Sequence, residues 1–249
     1  MSKMFVISTG RNPNHYLYKC VFSVQQQLVQ PTEHIVIDDL SDDETSEILD
    51  KLPDYENLTI VRNTDRKFRL KNIYDHAIDK DPEDIICILD SDDWLTDVSV
   101  LATIKQAYES NPSLEYIYSQ YILSHGEMGC SRPIPSPDWD PYTGEWITSH
   151  MCTFKVKAIK DIPVSNFLDW NGEWFQIATD HALILPVIHR LKEKDSGLSA
   201  IGFISRPLYV HTFYGNPSKP RSGTPEADAR ASLAVRCSTF IKQRGFVEE

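Results

Sequence analysis

Three aspartates within four positions, Asp90, Asp92 and Asp93, directly follow the apolar run over residues 85–89. An unbroken apolar run of this length is typical of a strand buried on both faces, and open α/β sheets bind ligands at the carboxyl ends of such strands. Carboxylates this close repel one another unless a cation lies among them. The group therefore predicts a divalent cation bound together with a phosphorylated ligand.

A second acidic pair, Asp38 and Asp39, follows another short apolar run over residues 34–37. An acid at the end of a strand can accept hydrogen bonds from a ribose or a nucleobase. The other interpretation is that the pair precedes a helix capped by Ser41, with Glu44 three positions later completing a capping box. We expect one of the two acids to contact a nucleotide.

Several single residues could support a nucleotide site, and each also has a purely structural interpretation. Thr9, Arg11 and Lys71 could pack on a base or contact phosphate, or could be exposed loop residues. His211 could contact a metal ion or a phosphate, although a lone histidine is more often packed or hydrogen bonded. Four late tryptophans could stack on sugar rings, with core packing expected for at least two of them: Trp139, Trp146, Trp170 and Trp174.

The elements that must position these residues alternate between strands and helices in the first 95 or so positions. Strands are predicted over residues 4–8, 34–37, 58–61 and 85–89, with helices over residues 15–28, 41–52 and 70–78. This β-α-β-α-β-α-β order favours a parallel sheet with right-handed crossovers. The polar clusters after three of the strands would then meet at one edge, which is how this architecture forms a nucleotide site.

The second half of the sequence predicts a less regular arrangement. Strands are expected over residues 115–123, 150–157, 201–204 and 208–210, and helices over residues 98–110, 156–162, 178–192 and 226–244, with long loops over residues 125–142 and 214–225. Pro186 should kink or break its helix, and Gly245 should end the last one. We predict one domain over residues 1–249, with a nucleotide-binding half (1–97), a second half (98–225) and a C-terminal helix (226–249).

The composition limits the partners. The 249 residues carry a formal net charge of -11, which argues against general binding to nucleic acid or to anionic membranes. No apolar run reaches the roughly 18 residues of a membrane span, so no integral membrane segment is expected. Five scattered cysteines without a CxxC pair indicate neither a disulfide framework nor a cysteine zinc site, and we expect a cytoplasmic protein. The oligomeric state stays open.

The chain resembles family 2-type glycosyltransferases with the GT-A fold, and the likeness is spread over most of its length. The segments that carry it are residues 11–27, residues 38–43, the Lys71-Asn72 pair, the DXD-type motif over residues 90–94, and residues 149–154, 174–186 and 208–217. Leu40 departs from the family pattern because glycine is usual at that position. His211 stands where many relatives carry an arginine.

The resemblance implies a GT-A fold of the α/β class, with a central, mostly parallel, twisted sheet flanked by helices. It implies a metal-dependent, inverting glycosyltransferase that uses Mn²⁺ or Mg²⁺. The donor would be a nucleoside diphosphate sugar, with UDP-sugars favoured, and the acceptor would be a hydroxyl of a glycan or of a lipid-linked molecule.

The resemblance also implies a role for each site residue. Asp92 would be the metal ligand, Asp90 would lie near the ribose or the metal-bound waters, and Asp93 would assist. Asp39 would accept hydrogen bonds from the base. Asp180 would be the general base, although at a predicted helix start it could also be a charge favoured by the helix dipole. The donor site would be completed by Thr9, Arg11, Lys71 and His211.

Two other functions fit parts of the sequence. A sugar-nucleotide pyrophosphorylase uses a similar α/β sheet but usually begins with a glycine-rich, basic loop, whereas residues 9–14 contain one glycine. A non-catalytic glycan-binding scaffold on the same fold would not need the full set of acids. Both alternatives are therefore less favoured than the transferase.

Overall fold

The computed structural model describes residues 2–194, 197–212 and 224–248. The loop predicted over residues 214–225 lies outside the described residues as far as position 223. The same is true of the part of the family-like segment 208–217 that follows Thr212. The fold and the site below are those of the described ranges.

The first half has the predicted alternation of strands and helices. Its elements are β1 (Met4–Gly10), α1 (Tyr16–Gln25), β2 (Glu33–Asp38), α2 (Thr45–Asp50), β3 (Leu58–Arg62), α3 (Phe68–Ala77) and β4 (Ile85–Asp90). The four strands pair in parallel in the order β3-β2-β1-β4. Gly10 is paired with Asp38 on one side of β1, and Thr9 with Asp90 on the other. The two acidic strand ends therefore flank the end of β1.

The second half extends the same sheet with mixed pairing. Its elements are β5 (Trp94–Leu95), α4 (Val100–Ser110), β6 (Tyr116–Leu123), β7 (Cys152–Lys155), α5 (Lys157–Lys160), α6 (Thr179–Glu193), β8 (Ile201–His211) and α7 (Pro225–Arg244). Within the described residues the full order is β3-β2-β1-β4-β7-β6-β8-β5. Strand β7 runs antiparallel to both β4 and β6, whereas β6 and β8 are parallel. The predicted α/β class and GT-A-type sheet are confirmed, with the parallel part concentrated in the first half.

Three local predictions change. The two strands predicted over residues 201–204 and 208–210 form the single strand β8, which shifts register where it pairs with Ser119 and Gln120 of β6. Helix α6 continues through Pro186, which excludes the predicted break. Helix α2 begins after Glu44 without a side-chain cap, so the capping box is wrong. The Ser41 hydroxyl instead accepts a hydrogen bond from the Asn12 amide.

Strand β4 is buried on both faces, as its apolar run predicts. Ile86 and Ile88 pack into the core on the side of α3 and α6. Cys87 and Leu89 pack into the core on the side of α1 and α4. Since both faces are covered by helices, the polar atoms of the site can lie only where the strand ends, at Asp90.

Helix α7 closes the described chain and has the predicted ends. The Thr224 hydroxyl accepts a hydrogen bond from the Ala227 amide at the helix start, and Gly245 ends the helix with a φ of 71°. Cys237 and Ile241 are its buried residues. No helix of the described ranges combines the length and the apolar character that crossing a membrane requires.

Candidate active site

A cavity of about 270 Å³ opens at the carboxyl ends of β1, β2 and β4. Five of the predicted site residues line it: Thr9, Arg11, Asp39, Asp90 and Asp92. Its remaining wall includes Arg66, Phe68 and Arg69 at the start of α3, Gln176 before α6, and Arg230 of α7. The predicted convergence of strand-end polar residues therefore occurs, and it is completed by residues from the second half.

The floor of the cavity depends on a close approach of β1 and β4. A Cβ atom added to Gly10 would lie 2.0 Å from the Ser91 hydroxyl, so only glycine permits this contact without a shift. Beside it, the buried Thr9 hydroxyl accepts a hydrogen bond of 3.0 Å from the Asn72 side chain. Thr9 thus links β1 to α3 at the base of the site.

The Asp39 carboxylate is enclosed by donors from the chain itself. One oxygen accepts hydrogen bonds from the Asn63 side chain and the Lys67 amide, both at 2.9 Å. The other accepts from Arg66 Nε and the Phe68 amide, both at 3.0 Å. Burial alone would raise the pKa of Asp39, but hydrogen bonds led by that from the Lys67 amide lower it. Asp39 is therefore an ionised acid that fixes the start of α3.

The start of α3 determines where Arg69 points. An acid at a helix start satisfies amide groups that have no partner within the helix, which is what Asp39 does for Lys67 and Phe68. Phe68 itself has a positive φ of 62°, and the Arg66 guanidinium lies 4.4 Å from its ring centre. The sequence prediction began this helix at Leu70 and therefore missed Arg69.

Arg69 joins the two halves of the site. Its Nε donates to Asp90 at 2.5 Å, and its Nη1 donates to Asp180 at 2.6 Å. Burial opposes the charge on Arg69, but the charges of Asp180 and Asp90 raise its pKa. Burial likewise acts to raise the pKa of Asp180, and the Arg69 charge lowers it. Asp180 is therefore ionised, and it lies directly behind the cavity-lining Arg69.

Asp93 has no access to the cavity. Its carboxylate is fully buried and accepts hydrogen bonds from the Tyr209 hydroxyl at 2.5 Å, His211 Nδ1 at 3.0 Å and the Thr212 amide at 2.7 Å. These contacts tie the end of β8 to the turn after β4. The described geometry favours a structural role for Asp93 over the assisting role that was predicted.

Asp92 directly precedes Asp93 in the chain, and His211 is one of the residues that donate a hydrogen bond to Asp93. Asp92 is partly exposed and lines the cavity, while its carbonyl accepts a hydrogen bond from the Thr212 hydroxyl. The His211 ring stacks on His150 at 5.1 Å, and His150 stacks in turn on Tyr209 at 4.7 Å. Burial lowers the pKa of His150, so that ring is uncharged at neutral pH.

The acids after β4 are suited to a metal ion that binds together with a phosphorylated ligand. In the described ranges no three His, Cys, Asp or Glu side chains converge into a metal cage. Asp90 contacts Arg69 and Asp93 contacts β8, whereas Asp92 faces the cavity. Mg²⁺ and similar ions commonly bind one or two carboxylates and take their other oxygens from phosphate and water. This donor set matches that kind of site.

Lys71 lies outside the cavity. It pairs with Asp75 one helical turn later, and its ammonium group lies 5.2 Å from the Trp174 ring centre. On α3, Phe68 and Arg69 line the cavity and Asn72 bonds the Thr9 hydroxyl beneath it, whereas the Lys71 side chain pairs elsewhere. Its predicted contact with the donor has no support in this placement.

The loop between β2 and α2, at the rim of the cavity, has a positive φ at a position that is not glycine. Leu40 has a φ of 62°, a region that is costly for a leucine. Its carbonyl accepts a hydrogen bond of 3.0 Å from Arg11 Nε, and the same guanidinium pairs with Asp42 at 2.5 Å. Arg11 therefore holds this loop at the rim of the cavity.

Residues 5–121 match the family model described as Glycosyl transferase family 2. This segment belongs to that family. The predicted family is thereby confirmed for residues 5–121. The family 2 segment contains the acids at the ends of β2 and β4 and Arg69, whereas Asp180, His211 and Arg230 lie beyond it. No curated protein matches the sequence significantly.

Solved glycosyltransferase structures share the fold. Residues 1–349 of TarS from S. aureus, in complex with UDP-GlcNAc, align with 99% of this chain and 68% of their own at 16% identity and a TM-score of 0.61. The mannosyltransferase PcManGT from Pyrobaculum calidifontis, in complex with GDP-Man and Mn²⁺, aligns with 99% of this chain and 66% of its own at 15% identity and a TM-score of 0.60. In another TarS structure the chain spans 60% of the 1–349 fragment (16% identity, 84% of this chain, TM-score 0.58).

Proposed function

We propose that this chain is a metal-dependent, inverting glycosyltransferase that moves a sugar from a nucleoside diphosphate donor to a hydroxyl of a glycan or lipid-linked acceptor. The observation that carries the proposal is the double contact of Arg69 with Asp90 and Asp180. It joins the cavity at the end of β4 to a carboxylate from the second half of the chain. A binding site and a proton acceptor are thereby held beside each other.

The donor half of the proposal rests on the cavity. A polar cavity at the ends of parallel strands suits a nucleotide, and two aligned glycosyltransferases were solved with UDP-GlcNAc and with GDP-Man. We place UDP-sugars first and GDP-sugars second as donors. The five cysteines are all free thiols, which supports a cytoplasmic enzyme that draws on nucleotide sugars.

The cofactor in this proposal is Mn²⁺ or Mg²⁺, held by Asp92 together with the donor diphosphate. When bound, the ion would stabilise negative charge on the leaving diphosphate. Asp93 accepts a hydrogen bond from His211 Nδ1, which fixes the orientation of the imidazole ring next to Asp92 in the chain segment after β4. This supports His211 as a second contact on the metal or phosphate side.

The proposed base is Asp180. Its Oδ1 accepts the bond from Arg69, and no described residue hydrogen bonds its Oδ2, which is the oxygen we assign to the incoming proton. As the acceptor oxygen forms its bond to the anomeric carbon, its proton passes to Asp180, and the bond between that carbon and the phosphate oxygen breaks on the opposite face. The electron pair leaves with the diphosphate. Arg69 keeps Asp180 ionised and oriented before this step.

The acceptor side is proposed to include Trp146. Its ring lies 4.4 Å from that of His181, the residue that follows Asp180. Trp174 packs against Phe167 and Tyr74 in the core, as was expected for some of the tryptophans. An aromatic face next to the base is a suitable platform for an acceptor sugar.

The experiment is nucleoside diphosphate release from a panel of UDP- and GDP-sugars with Mn²⁺, with and without EDTA. We expect release with at least one donor and its loss in EDTA and in Asp92→Ala. The matched control is Asp97→Ala, because Asp97 is an exposed acid that pairs with Arg206 outside the cavity. Turnover that persists in EDTA would remove the metal from the proposal, and a panel without any release would remove the transferase.

A further inference from the structure

We propose that Arg230, on the C-terminal helix α7, binds the diphosphate of the donor and makes this helix part of the donor site. The inference rests on the proposed function, since it assigns the phosphate contact within the same cavity. Arg230 lines that cavity together with the strand-end acids Asp39, Asp90 and Asp92. It lies more than 100 positions beyond the segment that matches the family model.

The arginines around the cavity differ in what they already contact. Arg11 pairs with Asp42 at 2.5 Å, Arg66 with Asp39 at 3.0 Å, and Arg69 with both Asp90 and Asp180. These three guanidinium groups are offset by carboxylates of the protein. Arg230 has no hydrogen bond or ion pair with any described residue, and it is exposed.

The negative charge of a diphosphate is the reason why an arginine without a carboxylate partner matters in this cavity. A nucleoside diphosphate brings at least two negative charges into a cavity that already contains Asp39, Asp90 and Asp92. One divalent ion would offset part of that charge. A guanidinium without a carboxylate partner can supply charge-assisted, bidentate hydrogen bonds to phosphate without breaking an existing pair. Arg230 is the cavity-lining arginine of the described residues that meets this condition.

The packing of α7 holds Arg230 in place. Cys237, Ile241 and Arg244 follow Arg230 at intervals of 7, 11 and 14 residues, so all four lie on one face of the helix. Cys237 and Ile241 are buried on this face. Arg244 donates to the carbonyls of three residues at 2.8–3.0 Å: Ser165, Asn166 and Leu168. The second half of the helix is thereby fixed, and its register directs Arg230 toward the domain.

Arg236 on the same helix provides a matched control. It is also exposed, but its guanidinium lies 5.2 Å from the Trp170 ring centre and it does not line the cavity. Replacing either arginine with glutamine removes one charge from α7. Only Arg230→Gln removes a charge from the cavity, so a general effect of net charge can be separated from a local one.

The experiment measures the affinity of four proteins for UDP and GDP by calorimetry with Mn²⁺, and for uridine and guanosine by competition. The proteins are the unaltered chain, Arg230→Gln, Arg230→Lys and Arg236→Gln. We expect Arg230→Gln to weaken diphosphate binding by about tenfold or more and to leave nucleoside binding unchanged. Arg230→Lys should keep part of the affinity, and Arg236→Gln should change it by less than about twofold.

The outcomes separate the two proposals. If the unaltered chain binds neither diphosphate, the proposed function fails and the assignment of Arg230 fails with it. If the unaltered chain binds a diphosphate and Arg230→Gln binds it equally well, only the assignment of Arg230 is overturned. An equal loss of nucleoside and diphosphate affinity would also overturn it, because Arg230 would then act on the base or the ribose. Thermal unfolding of all four proteins should coincide, since both arginines are exposed.

Discussion

Two groups of acids at the same edge of the sheet differ in how much of each carboxylate the protein itself uses. Asp39 and Asp93, which we call the floor acids, are 2% and 0% exposed and accept four and three hydrogen bonds from the chain. The cavity acids, Asp90 and Asp92, and Asp180 beyond the cavity wall are more exposed, and Asp90 and Asp180 both pair with Arg69.

The difference indicates which acids hold the site together and which can act on a ligand. A carboxylate with nearly all of its lone-pair positions occupied cannot accept more bonds without losing some that fix the chain. A carboxylate held through one oxygen can still bind a metal ion or take a proton. The comparison predicts that changes to the floor acids reduce stability, whereas changes to the cavity acids reduce activity.

The largest effect should come from a cavity acid. Asp92→Ala should reduce nucleoside diphosphate release with Mn²⁺ by about 1,000-fold or more, because metal stabilisation of the leaving group contributes several kcal/mol. The free energy of unfolding should change little, since the side chain is partly exposed. Steady-state rates test the predicted loss of release, and urea unfolding of the same preparation tests the predicted free energy of unfolding. Near-normal release by the Asp92→Ala protein would show that Asp92 is not the metal ligand.

Asp93→Ala should have the opposite profile. Removing this carboxylate leaves the Tyr209 hydroxyl, His211 Nδ1 and the Thr212 amide without their acceptor, at a cost of about 3–5 kcal/mol in the free energy of unfolding. Asp97→Ala is the matched control, because the exposed Asp97 carboxylate pairs with Arg206 and accepts hydrogen bonds from Ser99, and these surface contacts should together contribute about 1–2 kcal/mol. Equal urea midpoints for the two variants would contradict the floor role of Asp93.

Asp39 should make the free energy of unfolding depend on pH. Its folded pKa is lowered, so its contribution is complete above the unfolded pKa of about 3.9 and is lost as the pH falls through the lower folded pKa. Asp39→Asn should lose about 1–3 kcal/mol of unfolding free energy at neutral pH and show a shallower loss of stability in acid. Urea unfolding between about pH 2 and pH 7 measures this. Identical acid slopes in both proteins would show that Asp39 is not the group responsible.

The smallest effect should come from Lys71→Gln. Lys71 pairs with Asp75 on the surface of α3, and such a pair contributes about 0.3–0.5 kcal/mol. Calorimetry should find the affinity for UDP or GDP unchanged within about twofold. A tenfold loss would restore the predicted donor contact and would mean that the side chain turns into the cavity when ligand binds.

The sequence predicted the edge of the sheet better than it predicted the roles of the acids there. The apolar runs that became β1, β2 and β4 determined which polar residues follow a buried strand, so the convergence of Thr9, Asp39 and Asp90 followed from strand order alone. The hydrogen bonds of these acids could not be predicted from strand order, because their partners come from distant segments of the chain. Tyr209 lies 116 positions after Asp93, and no local pattern indicates that contact.

Arg69 shows how a small error in a helix boundary changes a site. Lys71 was chosen for the donor contact because the Lys71-Asn72 pair resembles a family motif, and Arg69 lay just before the helix that was predicted to begin at Leu70. The helix in fact begins at Phe68, and the spacing of three between Arg69 and Asn72 puts both on one face of the helix, where Asn72 bonds Thr9 and Arg69 bonds Asp90. That spacing was visible in the sequence and would have indicated Arg69. The two-residue strand β5 left no comparable signal, since its pairing with β8 depends on the second half.

The most direct test of the account is the rate of nucleoside diphosphate release by Asp180→Asn at saturating donor and Mn²⁺, beside its affinity for the diphosphate. Removing a general base should lower the rate by about 100- to 10,000-fold. Diphosphate affinity and the urea midpoint should stay close to those of the unaltered chain, because Asp180 does not line the donor cavity. Release at the unaltered rate would contradict the assignment of Asp180 as the base, and with it the claim that Arg69 joins a donor site to a proton acceptor.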